Sequence, residues 1–249
     1  FGTAAMLAQS VLAGPCARYL LHDVRAAQSD LAAYRQDSTD YFTAWVHQIK
    51  TPLSVMRLQL QSEDTPENRA MLAELFQMEQ YVTMALSYAR LGNPTKDLVL
   101  TRVPLDPVIR QAIRDFAPLL IRKKLRLQYE PTAESALTDS KWLLFILHQL
   151  LSNAVKYTER GRVSIRVTSA PAIIVADTGI GIAPEDVPRV FEKGYTGYNG
   201  RGGQKSTGLG LYLVHQTAEM LHCRVSLSSR IGEGTSVTID LHQEELGKE

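Results

Sequence analysis

Apolar residues at Phe42, Val46, Ile49, Leu53, Met56 and Leu60 alternate four and three positions apart. An α-helix with one long apolar seam satisfies that spacing, and such a seam demands another helix against it. A second seam, Met71, Leu75, Met78, Val82, Ala85 and Ala89, repeats the alternation. Between the two, Ser62-Glu63-Asp64-Thr65-Pro66-Glu67 reads as a turn ending in a cap signal with Pro just inside the next helix. The pattern predicts a helical hairpin, with arms from about Leu20 to Gln61 and from Pro66 to Leu91. Two seamed arms bury too little alone, so a second copy is expected to complete a four-helix bundle. The alternative is that both arms pack on their own chain.

His47 lies one position past the seam residue Val46, so it is expected beside the hairpin core and not inside it. Thr51, one turn on, shares its face, and Lys50 neighbours both. Pro52 carries no N–H, so the carbonyl of Gln48 loses its helical partner at a cost of about 3 kcal/mol. A kink there would open the helix surface beside the imidazole. Packing that simply tolerates the proline is the plainer explanation, and a lone His on a helix is weak evidence of chemistry.

Size and composition narrow the field. The chain has 249 residues, with 45% hydrophobic and 21% charged, which suits one large or two ordinary folded domains and not a disordered chain. A net charge of +1 without a basic run gives no nucleic-acid surface. Cys16 and Cys223 are far apart with no metal-ligand spacing, which fits a reducing compartment. No stretch is long and apolar enough for a complete membrane span. Phe1 to Ala17 is uncharged but holds Gln9, Ser10, Gly14 and Pro15 and lacks a basic start, a poor signal peptide. With no initial Met, the chain is expected to be a fragment whose first residues are membrane-proximal or foreign to the natural protein.

Gly92-Asn93-Pro94 stops the second arm, and the texture then changes to mixed strand and helix. Asp97 to Val103 is strand-like. Pro107 to Arg122 reads as a helix capped by Asp106, with Pro107 in its first turn. Leu125 to Glu130 alternates as a strand. Ser140 to Tyr157 is a long helix capped near Asp139. Gly161 opens the strand Arg162 to Thr168, and Ala172 to Ala176 is a buried-type strand. A helix is expected from about Thr207 to Leu221. Arg224 to Ser229 and Ser236 to Leu241 read as a hairpin turned at Gly232-Glu233-Gly234. The expected fold of this second part is an α/β sandwich, with helices on one face of a mixed sheet.

Three features of this part point to a nucleotide. On the long helix, Asn153 and Lys156 lie one turn apart; an amide oxygen suits Mg²⁺ and a lysine suits phosphate. The buried-type strand runs into Asp177-Thr178-Gly179-Ile180-Gly181-Ile182, where a carboxylate can accept the exocyclic amino group of adenine and two glycines allow close approach. Seven of the sixteen glycines then fall between Gly194 and Gly210, and this run ends in Thr207-Gly208-Leu209-Gly210 as a helix begins. Free N–H groups at a helix start bind phosphate oxygens, and a glycine-dense run upstream suits a lid. Each feature alone is bland. The segment lacks the closing Gly-Lys-Ser/Thr of a P-loop and the context of a Rossmann fingerprint.

In this order the motifs resemble those of the sensor histidine kinases, whose ATP-binding domain has the GHKL (Bergerat) fold. Asn153-Ala154-Val155-Lys156-Tyr157 is similar to their asparagine box. Asp177 to Ile182 is similar to their first glycine box, Val190-Phe191-Glu192-Lys193-Gly194-Tyr195 to their phenylalanine box, and Gly208-Leu209-Gly210-Leu211 to their second glycine box. His47-Gln48-Ile49-Lys50-Thr51-Pro52-Leu53 is similar to their phosphoacceptor box. The resemblance spans about Asp30 to Leu241. It implies a helical hairpin that forms a dimeric four-helix bundle, followed by a GHKL-type sandwich.

By the same resemblance, His47 is phosphorylated from ATP and passes the phosphoryl group to an aspartate of a response-regulator receiver domain. Asp177 would hold adenine and Asn153 Mg²⁺, with Lys156, Gly208 and Gly210 at the phosphates. Tyr157, Gly179, Gly181, Ile182, Phe191, Thr207 and Leu209 would complete the nucleotide site. The implied domains are 1–29, an N-terminal segment; 30–92, dimerisation and phosphotransfer; 93–103, linker and first strand; and 104–249, catalysis. The phosphoacceptor box further resembles that of the intramembrane-sensing kinases, which often respond to antimicrobial peptides with an ABC transporter partner. That implies the cytoplasmic portion of a cell-membrane protein and no nucleic-acid partner.

One position departs from the pattern. The family usually has Glu or Asp after the phosphoacceptor His, as the base, and here stands Gln48, whose amide takes no proton at ordinary pH. Slow phosphorylation is therefore expected. Thr51 matches the position that directs water in dephosphorylating the partner, which implies phosphatase activity as well. Two other classes stay open: a GHKL ATPase that is not a kinase, and a degenerate ATP-binding docking module.

Overall fold

A computed structural model describes residues 15–91, 98–197 and 207–242. The signal Gly92-Asn93-Pro94, most of the glycine-rich run and the first fourteen residues lie outside the described residues. Helix α1, Pro15–Gln61, runs 47 residues and continues unbroken through Pro52. Helix α2 is Pro66–Leu91. Thr65 caps it, its hydroxyl oxygen accepting the Asn68 N–H at 3.1 Å. The arms are antiparallel, joined by an Arg57–Glu79 ion pair and by the Thr39 hydroxyl, which donates to the Ala89 carbonyl at 3.2 Å. Val46, Leu53 and Leu75 are buried, whereas the seam residues Phe42, Met56, Met71 and Met78 are exposed. Within this chain the seam is covered along one side only.

Beyond the hairpin, β1 (Thr101–Pro104) pairs antiparallel with β3 (Ser135–Thr138). A five-stranded sheet has the order β2-β4-β5-β7-β6, formed by β2 (Arg126–Tyr129), β4 (Arg162–Val167), β5 (Ala172–Asp177), β6 (Arg224–Arg230) and β7 (Gly234–Asp240). Strand β2 is parallel to β4, and the other pairs are antiparallel. Alternate residues such as Val163, Ile165, Ile173, Val175, Val237 and Ile239 are buried. They face Ile109 and Phe116 of α3 (Leu105–Arg122), Leu147 and Leu151 of α4 (Ser140–Tyr157), and Leu213 of α5 (Gly210–Met220). This is the sandwich the sequence implies. The hairpin also leans on it: Ala73 joins the same core, and the Phe76 ring meets Phe116 edge-on at 5.0 Å. Among the described residues no helix is long and apolar enough to cross a membrane.

Several boundaries differ from the sequence expectation. Asp106 does not cap α3. The helix starts two residues earlier, after an extended Pro104, because the fully buried Leu105 donates its N–H to the Glu134 carbonyl at 3.0 Å. The Asp106 carboxylate instead accepts the Tyr129 hydroxyl and Arg110 Nε, each at 2.6 Å. Of the expected strand from Asp97 to Val103, Asp97 lies outside the described residues and the strand is regular from Thr101; its partner β3 was not anticipated. Helix α5 begins at Gly210 and not Thr207.

Candidate active site

Helix α4 carries the site on one face and core on the other. Asp139 caps it, accepting the N–H groups of Lys141 and Trp142 at 2.8 and 3.4 Å. It also accepts the Val99 N–H at 2.9 Å, which ties the incoming chain to the helix start. Leu143, Leu147 and Leu151 sink into the core, while Gln149, Asn153 and Lys156 line a cleft of about 190 Å³. Tyr157 lines it as well, and Lys156 Nζ stands 5.4 Å from the Tyr157 ring centre. Burial lowers the Lys156 ammonium pKa below its ordinary value, and an anion beside it would favour the charged form.

Asp177 ends β5 at the floor of the cleft. Burial raises its carboxyl pKa, opposed by the N–H groups of Gly179 at 2.8 Å and Thr235 at 3.4 Å. The fully buried Thr158 hydroxyl lies beside it without a well-formed hydrogen bond. Gly181, at φ +71°, and Ile182 also line the cleft. A Cβ on Gly181 would stand 2.1 Å from the Arg230 carbonyl oxygen, so this loop rests directly on the β6–β7 turn. The Ile182 N–H donates to the Ser229 hydroxyl at 2.8 Å, and the Gly232 N–H to the Ile180 carbonyl at 2.9 Å.

The described ends of the glycine-rich run meet. The Gly194 N–H donates to the Gly208 carbonyl at 3.0 Å. The Tyr195 hydroxyl donates to Asp186, and Arg189 lies over the Tyr195 ring at 4.3 Å. Thr207, Gly208 and Gly210 line the cleft. Leu209 does not, packing against the core at the start of α5. Gly179 is also outside the lining and acts through Asp177. Phe191 lies outside the described lining of the cleft, its ring 5.5 Å from that of His215 on α5.

Helix α2 supplies a wall that the sequence did not suggest, Tyr81 and Met84. The Thr207 hydroxyl lies 3.9 Å from Met84 Sδ, and Lys193 Nζ donates to the Tyr88 hydroxyl at 2.5 Å. Both edges of the glycine-rich run thus touch the hairpin. Gln149, buried four residues before Asn153, was also missed, although its helical spacing places it on the same face. His47, Gln48 and Thr51 are exposed on α1 and do not line the cleft. The Thr51 hydroxyl donates to the His47 carbonyl at 3.3 Å, and Ser54 to the Lys50 carbonyl at 2.8 Å. These hydroxyl bonds flank the carbonyl that Pro52 leaves without its usual donor.

Comparison with known proteins agrees with this arrangement. Residues 138–245 match the family of histidine kinase-, DNA gyrase B- and HSP90-like ATPases. The chain is 36% identical over 213 residues to the sensor protein BceS of Halalkalibacterium halodurans, covering 84% of this chain and 64% of that relative. It is 36% identical over 203 residues to the sensor histidine kinase YxdK of Bacillus subtilis, covering 79% of this chain and 62% of that relative. Over these spans the chain is a relative of the sensor histidine kinases. It spans less than two thirds of the length of these relatives. Full-length ShkA in complex with AMPPNP superposes with a TM-score of 0.56 at 25% identity, over 81% of this chain and 45% of that one. The histidine kinase AdeS of Acinetobacter baumannii shares the fold, with a TM-score of 0.52 at 22% identity over 79% of this chain and 97% of that one. Apart from Tyr81 and Met84, the cleft is lined by residues inside the span that matches the ATPase family, and the α1–α2 hairpin stands against it.

Proposed function

We propose that this chain phosphorylates itself on His47 from ATP and passes the phosphoryl group to an aspartate of a response-regulator receiver domain. The observation that carries the reading is convergence. Asn153, Lys156, Asp177, Gly208 and Gly210, scattered over the sequence, line one cleft that the His47 hairpin itself walls through Tyr81 and Met84. Asp177 would accept the adenine amino group, and Lys156 with the N–H groups at the start of α5 would receive phosphate oxygens.

Mg²⁺ fits the cleft. The Asn153 amide and the buried Gln149 amide face the start of α5, where a Cβ on Gly210 would stand 3.3 Å from Gln149 Oε1 and 3.9 Å from Asn153 Oδ1. Glycine leaves that space open between two neutral oxygen donors. Asn153 would hold the ion, which would supply charge neutralisation at the phosphates. In the transfer itself an imidazole nitrogen bonds to the γ-phosphorus as the bond to the ADP oxygen breaks, and the imidazole proton leaves to water or to a partner oriented by Gln48.

Residues 30–92 would serve as the dimerisation and phosphotransfer unit and 104–249 as the catalytic unit. The exposed seam residues Phe42, Met56, Met71 and Met78 support pairing of the hairpin with a second copy. Likeness to the named sensor relatives supports a membrane-attached whole protein; a transporter partner rests on the phosphoacceptor-box resemblance alone.

The test is incubation with γ-labelled ATP and Mg²⁺ beside a His47→Ala variant. Acid-labile, alkali-stable label on the parent and none on the variant is expected. Label on both would move the acceptor away from His47. ATP binding without label on either would make the chain a docking module.

A further inference from the structure

The end of α4 is where two parts of the candidate nucleotide site meet. Its last turn carries Lys156 and Tyr157, and the chain then passes Thr158 beside Asp177. The last four carbonyls of a helix have no partner inside it. Here each is accounted for. Ala154 accepts the Thr158 N–H at 3.1 Å, and Tyr157 accepts the Ile180 N–H at 3.2 Å, from within the loop that follows Asp177. The other two are held from outside. Lys123, at the end of α3, donates from Nζ to the carbonyls of Val155 at 2.6 Å and Lys156 at 3.2 Å, and also to that of Thr158 at 3.2 Å.

One ammonium thus closes a three-carbonyl site, and an ammonium has three protons to give. The negative end of the α4 dipole favours a cation there. The position of Lys123 is itself fixed. Its own N–H caps α3 by donating to the Leu119 carbonyl at 3.0 Å, and the next two N–H groups fold back on Ile121 and Leu120. Desolvation lowers its pKa, while Glu159 favours the charged form and Arg122 opposes it. Lys123 is outside the cleft lining, so it touches no nucleotide.

We infer that Lys123 is a positioning residue for nucleotide binding: by clamping the carbonyls of Val155, Lys156 and Thr158 it fixes the end of the Asn153 helix against the Asp177 loop. The inference rests on the nucleotide reading of the cleft. Without the ammonium, two helix-end carbonyls and that of Thr158 lose their donor. The last turn then relaxes, Lys156 and Tyr157 move, and the Tyr157–Ile180 bond that registers the Asp177 loop loosens.

The experiment measures the Kd of AMPPNP with Mg²⁺ by calorimetry, together with Tm, for the full chain and for Lys123→Met, Lys123→Arg and Tyr129→Phe. Lys123→Met keeps the aliphatic stem and removes the donors. Lys123→Arg keeps charge and donors. Tyr129→Phe loosens the opposite end of α3 by removing the hydroxyl from Asp106. The expected result is binding weakened by about tenfold in Lys123→Met, through misplacement of contact groups, largely recovered in Lys123→Arg and unchanged in Tyr129→Phe. Unchanged affinity in Lys123→Met overturns the inference. So does equal weakening in Tyr129→Phe, which would reduce the effect to general instability. Should Lys123→Met fail to fold, Lys123→Gln, which keeps an amide donor, is judged by the same comparison. A parent chain that binds no AMPPNP would instead overturn the nucleotide reading itself.

Discussion

A Cβ on Gly208 would stand 2.4 Å from the carbonyl carbon of Gly194. The first residue of the glycine-rich run and one near its end are therefore pressed backbone to backbone, and Gly208 is held at φ +65° besides. Both facts exclude a side chain at Gly208, one by space and one by conformation. Gly208→Ala is expected to destabilise the fold by at least about 2 kcal/mol, from left-handed strain plus the contact. It should also part the neck of the run, so that AMPPNP affinity falls more than it does in an equally destabilised core variant. Calorimetry and thermal melting on the same samples separate the two effects.

Asp177 sets stability against recognition. Its carboxyl pKa is raised by burial, so the charged form is less favourable folded than unfolded. At a pH below its ordinary value of 3.8 both states are protonated and the residue costs nothing. As pH rises through that value toward the raised folded value, the unfolded chain loses its proton first and stability is lost. Asp177→Asn, which cannot ionise, should therefore melt higher than the parent near neutral pH, with the gap closing as the pH is taken below that ordinary value. The same variant should bind AMPPNP roughly 10–100-fold more weakly, the loss expected for one charged hydrogen-bond acceptor. A variant that melts lower at neutral pH would show that the carboxylate is not strained, and one that binds equally well would show that it is not used.

Helices α3 and α5 end alike. Lys124 and His222 both adopt φ 56°. In each case the following N–H reaches back over the helix end, Leu125 to the Leu120 carbonyl at 3.0 Å and Cys223 to the Ala218 carbonyl at 2.8 Å. This is the Schellman motif, whose left-handed position favours glycine. Lys124→Gly and His222→Gly should each stabilise by about 1 kcal/mol, adding independently because the sites end different helices. Denaturant midpoints at constant slope would show it.

The hairpin, the boundaries of α2 and α4, the Asp139 and Thr65 caps and the central strands were legible because each rests on local signals: a seam, a capping side chain, an alternation of apolar residues. Asp106 was misread because a capping residue type stood one position inside a helix whose start is set by a distant carbonyl, that of Glu134. Strand β3 has no local signature, since it exists by pairing with β1 across the intervening helix α3 and strand β2. Phe191 enters the sequence reading by motif likeness, and only the folded chain shows its contact with His215. Tyr81 and Met84 fell on a helix assigned to another unit, where no pattern within one element reveals a wall shared between two.

Gln48 bears on rate. It is exposed on α1 beside His47. Gln48→Glu supplies a proton acceptor within the same turn and should raise the initial rate of His47 labelling at saturating ATP by about tenfold or more, without changing Tm beyond about 0.5 kcal/mol equivalent. An unchanged or lower rate would mean the proton leaves by another route. Thr51→Ala, which removes the hydroxyl from the His47 carbonyl, should keep labelling and lose dephosphorylation of a phosphorylated receiver domain. The reverse pattern would remove Thr51 from that role.

His148 makes the contact between hairpin and sandwich sensitive to acid. Its ring lies 5.6 Å from that of Phe116, the residue on which Phe76 of α2 stacks, and its Nε2 pairs with Asp115 Oδ2 at 2.9 Å. Burial lowers the imidazole pKa from its ordinary 6.5, only partly opposed by Asp115. Arg57, Arg114, Arg122 and Lys141 line the same interdomain cavity, and Glu79 is the other acid there. As pH falls through 6.5 the unfolded chain takes up the proton before the folded one, so stability declines until the lowered folded pKa is passed. For one proton the slope cannot exceed about 1.4 kcal/mol per pH unit. The parent should therefore melt progressively lower between pH 7.5 and 5.5 (the bracketing values are about one unit either side of an ordinary imidazole), and His148→Gln should flatten that decline. If the two proteins lose stability in parallel over this range, the acid sensitivity lies elsewhere and the buried ring is held equally well in both protonation states.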